Sequence, residues 1–317
     1  MIIACYNKNE EIRKNSSSGG VYYAVAKQVI DDGGVVYAAV YEGIDVTHNR
    51  FDSFHNLEKS CGSKYSQSKL SDCFSSVKSD LLAERKVLFV GTPCQCYGLK
   101  TYLDKVYVNL ITIDFVCHGI PSKKVLAKYV DEQSFLQPVD EINMRDKSSG
   151  WSNYQYSWKL KNTEAERTIP QSCIVFMKGF TNDLYLRPCC YECQFKGTER
   201  ITDITLGDYW GVWDIHPNMD DNKGTSLIML HSEHGRKMFE TIADQLVNCE
   251  ISDIAKVISW NPSIIRAASK TSKRGEFFEK LNSGEKVEKI INELTVVPEQ
   301  NRITQRLKNR IKRLIGR

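Results

Sequence analysis

The sequence contains no apolar run long enough to cross a membrane and no basic segment ahead of an N-terminal hydrophobic stretch. Its longest apolar runs, such as GGVVYAAVY at residues 33–41, fall well short of the roughly 20 residues that a spanning helix needs. The opening MIIACYNKNEEIR becomes polar after a few residues, which is not the pattern of a secretory signal. We therefore expect a cytoplasmic protein, in a compartment where thiols stay reduced.

The chain also lacks a strong charge of either sign over most of its length. The formal net charge is +4, but the segment 301–317, NRITQRLKNRIKRLIGR, holds seven Lys/Arg and no acid, so the remainder carries −3. A body this close to neutral gives no indication of nucleic-acid binding. Internal repeats and low-complexity stretches are missing too, and 317 residues are enough for one large or two smaller globular domains.

Cysteine, by contrast, is abundant. The chain has 11 cysteines, an odd number that cannot all pair as disulfides, which favours metal or redox chemistry for some of them. The stretch RPCCYECQFKG at residues 187–197 contains three. Cys190 and Cys193 form a C-x-x-C pair, and Cys189 directly precedes it. Such a pair supplies half of a four-thiolate site, so the other half has to come from elsewhere in the chain.

Strand-like and helix-like segments alternate over the first two-fifths of the sequence, a rhythm typical of parallel strands in an α/β sheet. From about residue 138 the pattern changes to alternating strands and charged helices. We predict a mixed, partly parallel sheet with flanking helices and a C-terminal helical extension. The expected parts are an α/β part at 1–137, an α+β part carrying the C-x-x-C pair at 138–260, and a helical, basic extension at 261–317.

Two single cysteines lie at junctions between a predicted strand and the helix that follows it. Cys94 follows KVLFVG, and Cys117 ends NLITIDFVC just before His118. The carboxyl edge of a parallel sheet is where α/β proteins bind ligands, and a helix N-terminus favours thiolate. With Cys190 and Cys193 these residues make four candidate ligands for zinc or an iron–sulfur cluster.

The spacing of these four cysteines favours the cluster, since structural zinc sites usually pair two short C-x-x-C knuckles. The alternative is that Cys94 and Cys117 are small buried residues at tight turns. Cys96 and Cys189 are interpreted as bystanders.

Six motifs occur in the order in which they mark a known family. The set resembles the coenzyme F420 hydrogenase/dehydrogenase beta-subunit family, from about residue 4 to residue 232. The motifs are KNSSSGGVY, GSKYSQS, GTPCQCYGLK, DFVCHGIPS, MRDKSSGW and YLRPCCYECQFKGTERITDITLGDYWG. The resemblance implies a flavin- and iron–sulfur-containing oxidoreductase subunit, with FAD and with a 4Fe-4S cluster on Cys94, Cys117, Cys190 and Cys193. Many relatives also carry an N-terminal ferredoxin-like segment with closely spaced cysteines; here we expect that segment to be absent, to be a separate polypeptide, or to have been lost by truncation.

The family resemblance also suggests which residues contact the flavin. Ser17, Ser18, Gly19 and Gly20 precede a helix, where small residues let backbone N–H groups approach a phosphate. Ser18 as a simple N-cap is the alternative. The other candidates are Ser63 and Lys64 near a pyrophosphate, Lys147 and Trp151 over an isoalloxazine ring, and Asp208 in the same pocket. Their alternatives are ordinary loop, core and strand roles.

The sequence therefore predicts an oxidoreductase that passes electrons between an organic hydride carrier and a redox partner such as a ferredoxin-like donor. The resemblance extends to relatives among surface-polysaccharide genes. The competing hypothesis is a zinc-stabilised accessory or scaffold protein of a polysaccharide assembly system. Residues 299–317 place Ile303, Leu307, Ile311 and Leu314 on one helical face. This pattern predicts a basic amphipathic helix that docks on an acidic partner or on the inner face of the membrane, unless it packs on the protein itself.

Overall fold

A computed structural model describes residues 1–296 of the chain. The amphipathic segment predicted at 299–317 lies outside the described residues. Within residues 1–296, none of the helices combines the length and the apolar character that crossing a membrane requires.

Eleven strands and eleven α-helices alternate along the described chain. The strands are β1 (Ile2–Asn7), β2 (Val35–Glu42), β3 (Asp45–Phe51), β4 (Val87–Val90), β5 (Leu110–Phe115), β6 (Val139–Asp146), β7 (Gln155–Leu160), β8 (Glu166–Pro170), β9 (Ile204–Asp208), β10 (Ser226–Leu230) and β11 (Leu246–Glu250). The helices are α1 (Glu10–Asn15), α2 (Val21–Asp31), α3 (Cys73–Leu82), α4 (Pro93–Leu103), α5 (Lys123–Gln133), α6 (Val175–Thr181), α7 (Val212–Ile215), α8 (Glu233–Ile242), α9 (Ile254–Trp260), α10 (Lys273–Asn282) and α11 (Val287–Leu294).

Eight of the strands form one sheet in the order β11-β1-β10-β9-β5-β4-β2-β3. The central pairs β2–β4, β4–β5 and β5–β9 are parallel, whereas the pairs on either side of them are antiparallel. The predicted mixed, partly parallel sheet is thus confirmed. The pairing of β4 with β5 also brings the strand ends that precede Cys94 and Cys117 to neighbouring places on one edge.

Helices cover both faces of this sheet, because its central strands are apolar on both sides. Helices α2 and α8 pack on one face, against side chains such as Val36, Ile111 and Ile228. Helices α3 and α4 pack on the other face, where Tyr37 and Phe89 are buried. The result is a three-layer arrangement that leaves the carboxyl edge of the parallel strands uncovered by either helix layer.

A three-stranded antiparallel sheet, β6-β7-β8, forms a second core with the C-terminal helices. Its apolar face packs with α5, α6, α10 and α11 around Trp158, Tyr185 and Phe277, all of which are fully buried. Residue 137 lies in the connection between α5 and β6, and strands from both sides of it share the main sheet. The C-terminal helical part is present as predicted, with α10 and α11 packed into this second core.

Candidate functional site

A cavity of about 1300 Å³ opens at the carboxyl edge of β4 and β5. Pockets that hold a drug-sized ligand usually measure about 300–1,000 Å³, so this one has room for more than one small molecule. Its wall combines residues from the serine loop before α2, the start of α4, the segment after β5, and β9. Of the predicted site residues, the lining includes Ser17, Ser18, Gly20, Ser63, Lys64, Trp151, Asp208, Cys94, Cys117 and Cys190.

The four candidate cluster cysteines share one neighbourhood. Cys94 lies exposed in the first turn of α4, and its Sγ is 3.1 Å from the Thr92 Oγ1. Burial raises the pKa of Cys117 to about 12, and the negative charges of Cys190, Cys94 and Cys193 add to the rise. Cys190 accepts a hydrogen bond from the Ile120 N–H at 3.4 Å. Cys193 is close to Cys117 and Cys190 but does not line the cavity.

The sulfurs do not converge on a single point. Within the described residues 1–296, no group of three or more His, Cys, Asp or Glu side chains is close enough to hold one metal ion. A tetrahedral zinc site needs four sulfurs at about 2.3 Å from the same centre, whereas a four-iron cluster takes one thiolate on each iron and spreads its ligands over a larger volume.

Cys96 and Cys189, the two cysteines interpreted as bystanders, differ in burial. Cys96 is fully buried under α4, with its Sγ 3.5 Å from the Ile113 carbonyl oxygen, and burial raises its pKa well above the usual range. Cys189 is exposed and lies on the cavity wall beside Cys190. Cys96 is therefore a core residue, while Cys189 reaches the edge of the site.

Two cationic side chains, Lys196 and Arg200, lie next to the candidate cluster cysteines and away from bulk solvent. The Lys196 ammonium donates to the carbonyl oxygens of Cys117 and, at 3.1 Å, Ser263. Burial lowers the pKa of Lys196, while the charges of the neighbouring thiols oppose that change. The Arg200 guanidinium pairs with the Asp114 carboxylate at 3.2 Å, and both side chains are at least 96% buried. These contacts tie the cysteine-bearing segment 190–200 to β5.

The serine loop before α2 is shaped by close approach to the sheet. A Cβ on Gly19 would lie 2.5 Å from the Cys5 carbonyl oxygen, so only glycine fits between β1 and β10. Gly20 has a left-handed backbone conformation, with a φ of 81°, and occupies the N-cap position of α2 without a side-chain hydrogen bond. The Ser18 hydroxyl donates to the Thr225 carbonyl oxygen at 2.7 Å and so does not serve as an N-cap. The first N–H groups of α2 can thus donate hydrogen bonds to an anion.

Lys64 lines the cavity next to this loop. Its ammonium donates to the carbonyl oxygens of Ser60 at 2.7 Å, Cys61 at 2.5 Å and Gly62 at 3.2 Å. Burial lowers the pKa of Lys64 to about 8. Ser63 donates from its hydroxyl to the Ser17 hydroxyl at 3.0 Å, which joins the two serine-containing segments on one wall.

Lys147 lies behind the wall of the cavity rather than on it. Its buried ammonium donates to the carbonyl oxygens of Arg13 at 2.6 Å, Ser18 at 2.7 Å and Lys223 at 2.9 Å. Burial lowers the pKa of Lys147 to about 7. In the described conformation the side chain therefore holds the serine loop in place from behind and does not face the cavity.

Arg145 is a site residue that the sequence did not predict. Its guanidinium is buried, pairs with Asp208 at 3.1 Å, and lies 5.4 Å from the Trp151 ring centroid and 4.3 Å from that of Tyr154. A lone arginine in a strand gives no local signal.

Four of the residues that line the cavity have a buried polar side-chain atom without a hydrogen-bond partner among the described residues. These atoms are His48 Nδ1, Ser66 Oγ, Arg145 Nε and Trp151 Nε1. An unpaired buried polar group costs about 1–3 kcal/mol, so a polar ligand that reached these atoms would recover that energy. Burial lowers the pKa of His48 to about 4, so its Nδ1 is a neutral acceptor.

Comparison with known proteins identifies the family and the fold of the chain. The family model for the C terminus of the coenzyme F420 hydrogenase/dehydrogenase beta subunit matches residues 84–256. Among solved structures, a chain of the xenon-derivatised F420-reducing NiFe hydrogenase complex from Methanosarcina barkeri is similar, with 16% identity and a TM-score of 0.55. The match covers 90% of this chain and 93% of that chain. At this identity the likeness shows a shared fold. A search of curated proteins gives no match.

Proposed function

The chain belongs to the coenzyme F420 hydrogenase/dehydrogenase beta-subunit family, and from that premise we propose that it is a flavin- and iron–sulfur-dependent oxidoreductase subunit. It passes electrons between an organic hydride carrier and a redox partner protein. The observation that carries the proposal is a single cavity whose wall bears both the thiols of Cys94, Cys117 and Cys190 and the uncapped N-terminus of α2.

The cysteine side of the cavity fits a 4Fe-4S cluster. Cys94, Cys117, Cys190 and Cys193 supply the four thiolates that such a cluster requires. Lys196 places a positive charge next to them, which favours the deprotonated form of the thiols. The exposure of Cys94 leaves this end of the site open to the surface, where a ferredoxin-like partner would exchange single electrons.

The serine-loop side fits FAD. The N–H groups at the start of α2 suit the negative charge of a pyrophosphate, and Ser17 and Ser63 add hydroxyl groups on the same wall. Arg145 and Trp151 line the same cavity and would lie next to the ring system. When bound, a flavin supplies both hydride and single-electron chemistry. The protein orients it, screens it from water on the buried side, and leaves the rest of the cavity for the hydride carrier.

Anaerobic purification tests the proposal directly. We expect a yellow-brown protein that contains iron, sulfide and FAD, whereas a zinc-stabilised scaffold would be colourless and contain zinc. Cys94→Ser should lose iron because it removes a ligand. Cys96→Ser is the matched control, two residues away on the same helix but in the core, and should keep its iron.

Equal iron and sulfide in the Cys94→Ser and Cys96→Ser variants would rule out the ligand assignment. A chain that stays free of flavin in saturating FAD, with its cluster intact, would rule out the flavin site.

A further inference from the structure

Four of the five tryptophans in the chain form a continuous row that leads from the cavity to the protein surface. Ring centroids are 4.6 Å apart between Trp151 and Trp210, 6.4 Å between Trp210 and Trp213, and 5.2 Å between Trp213 and Trp260. Trp151 is 3% exposed, whereas Trp213 and Trp260 are 43% and 42% exposed. The first three rings also line the cavity.

The backbone makes room for this row. Gly211 has a φ of +87°, and a Cβ there would lie 2.3 Å from the Cγ and Cδ1 atoms of Trp260. Glycine therefore lets Trp260, from α9, lie against the turn between Trp210 and Trp213. Trp213 and Trp260 remain more than 40% exposed, so burial accounts for only part of the surface of these two rings.

The charges along the row differ between its two ends. At the inner end, the buried Arg145 guanidinium lies 5.4 Å from the Trp151 centroid and 5.8 Å from the Trp210 centroid. At the outer end, Trp260 Nε1 donates to the Asp214 carboxylate at 3.3 Å. A cation disfavours an oxidised, positively charged indole beside it, and an anion favours one. Because Arg145 is itself paired with Asp208 at 3.1 Å, its charge is largely balanced, and the Asp214 carboxylate at the outer end is what favours a positive hole on Trp260.

We propose that Trp151, Trp210, Trp213 and Trp260 form a hopping chain that carries one-electron oxidising equivalents from the cavity to the surface. Indole gives up an electron only to strong one-electron oxidants, so the chain cannot carry the electrons of hydride chemistry. Its role is to discharge a strong oxidant formed in the cavity before it damages the site. The proposal rests on the flavin of the proposed function.

The electron balance is simple. The oxidant, a bound flavin excited by blue light, would take one electron from Trp151, which would be re-reduced by Trp210, then by Trp213 and finally by Trp260. The oxidised Trp260 releases its indole proton to the Asp214 carboxylate. A soluble one-electron reductant such as ascorbate then returns one electron, and Asp214 returns the proton. The net change is one electron moved from ascorbate to the flavin.

Flash photolysis of the full chain loaded with FAD tests the proposal. We expect transient absorbance of an indole radical. Trp260→Phe and Trp213→Phe should shorten its lifetime several-fold, because the hole stays closer to the flavin. Asp214→Asn should also shorten it without removing a ring. Trp158→Phe, in the separate core of the small sheet, is the control and should leave the lifetime unchanged.

Mass spectrometry after steady illumination gives a second readout. Oxidised indole should accumulate at Trp260 in the parent chain and move inward to Trp213 and Trp210 in Trp260→Phe. If bound FAD gives no indole radical, or if Trp260→Phe and Trp158→Phe have equal lifetimes, the hopping chain is wrong although the flavin site stands. If the chain takes up no FAD, both the hopping chain and the flavin part of the proposed function fail.

Discussion

Replacing Lys147 with methionine should change how the stability of the protein depends on pH. Burial lowers the pKa of Lys147 from its ordinary value of 10.5 to about 7 in the folded protein. Between these two pH values the unfolded chain holds a proton that the folded chain has released. The unfolded state then binds more protons, so the contribution of Lys147 to stability rises with pH in this window.

The magnitude follows from the two pKa values. Each pH unit inside the window is worth about 1.4 kcal/mol, so between about pH 7.5 and pH 9.0 the contribution rises by about 2 kcal/mol. The three carbonyl oxygens that accept from the ammonium favour the charged form and oppose the fall in pKa. The value is therefore an upper bound, and the sign of the slope is the prediction.

Denaturant unfolding of the parent chain and of Lys147→Met, measured at several pH values, checks this. Other groups titrate equally in both proteins, so they cancel in the difference between the two free energies of unfolding. That difference should shift in favour of the parent chain as the pH rises. Two curves that stay parallel from about pH 7.5 to 9.0 would show that Lys147 keeps its proton in the folded state.

Three further predictions concern other parts of the molecule. Gly19→Ala should destabilise the fold and abolish FAD uptake, because its Cβ would clash with the sheet, while Gly275→Ala, in open space on α10, should be neutral in thermal melts. Asp114→Asn or Arg200→Met alone should lower the free energy of unfolding by about 3–5 kcal/mol, because each leaves a buried polar group unpaired. In a double-mutant cycle, the double variant should recover most of that loss. Additive losses would contradict the pairing. A chain ending at Gln300 should no longer co-sediment with anionic vesicles at low salt, and the membrane-docking hypothesis fails if the full chain also stays in the supernatant.

The sequence predicted those parts of the site that depend on local rules. Cys94 and Cys117 follow short apolar strands that lead into helices, and neighbouring parallel strands must end at one edge. The structure pairs β4 with β5 and so brings the two segments together. The family resemblance found from the motifs is likewise confirmed, since the family model matches residues 84–256.

The parts that were missed depend on contacts between distant segments. The pairing of β1 with both β10 and β11 joins residues more than 200 positions apart, and no local pattern encodes such pairing. Helix α8 ends at Ile242 and β11 begins at Leu246, although no glycine or proline marks the change between them. The family resemblance suggests that Lys147 lies over a flavin ring, whereas its side chain faces the serine loop, because three carbonyl oxygens in and around that loop accept from its ammonium.

The two halves of the cavity have separate anchors, and this separation bears on how the protein would lose the flavin and the cluster that the proposed function assigns to it. The serine loop is held by Lys147 and by the close fit of Gly19 against the sheet. The cysteine segment is held by the Arg200–Asp114 pair and by Lys196. Because the anchors share no residue, their free-energy contributions should be nearly independent. Damage to the first set should remove flavin while iron remains, and damage to the second should remove iron while flavin remains.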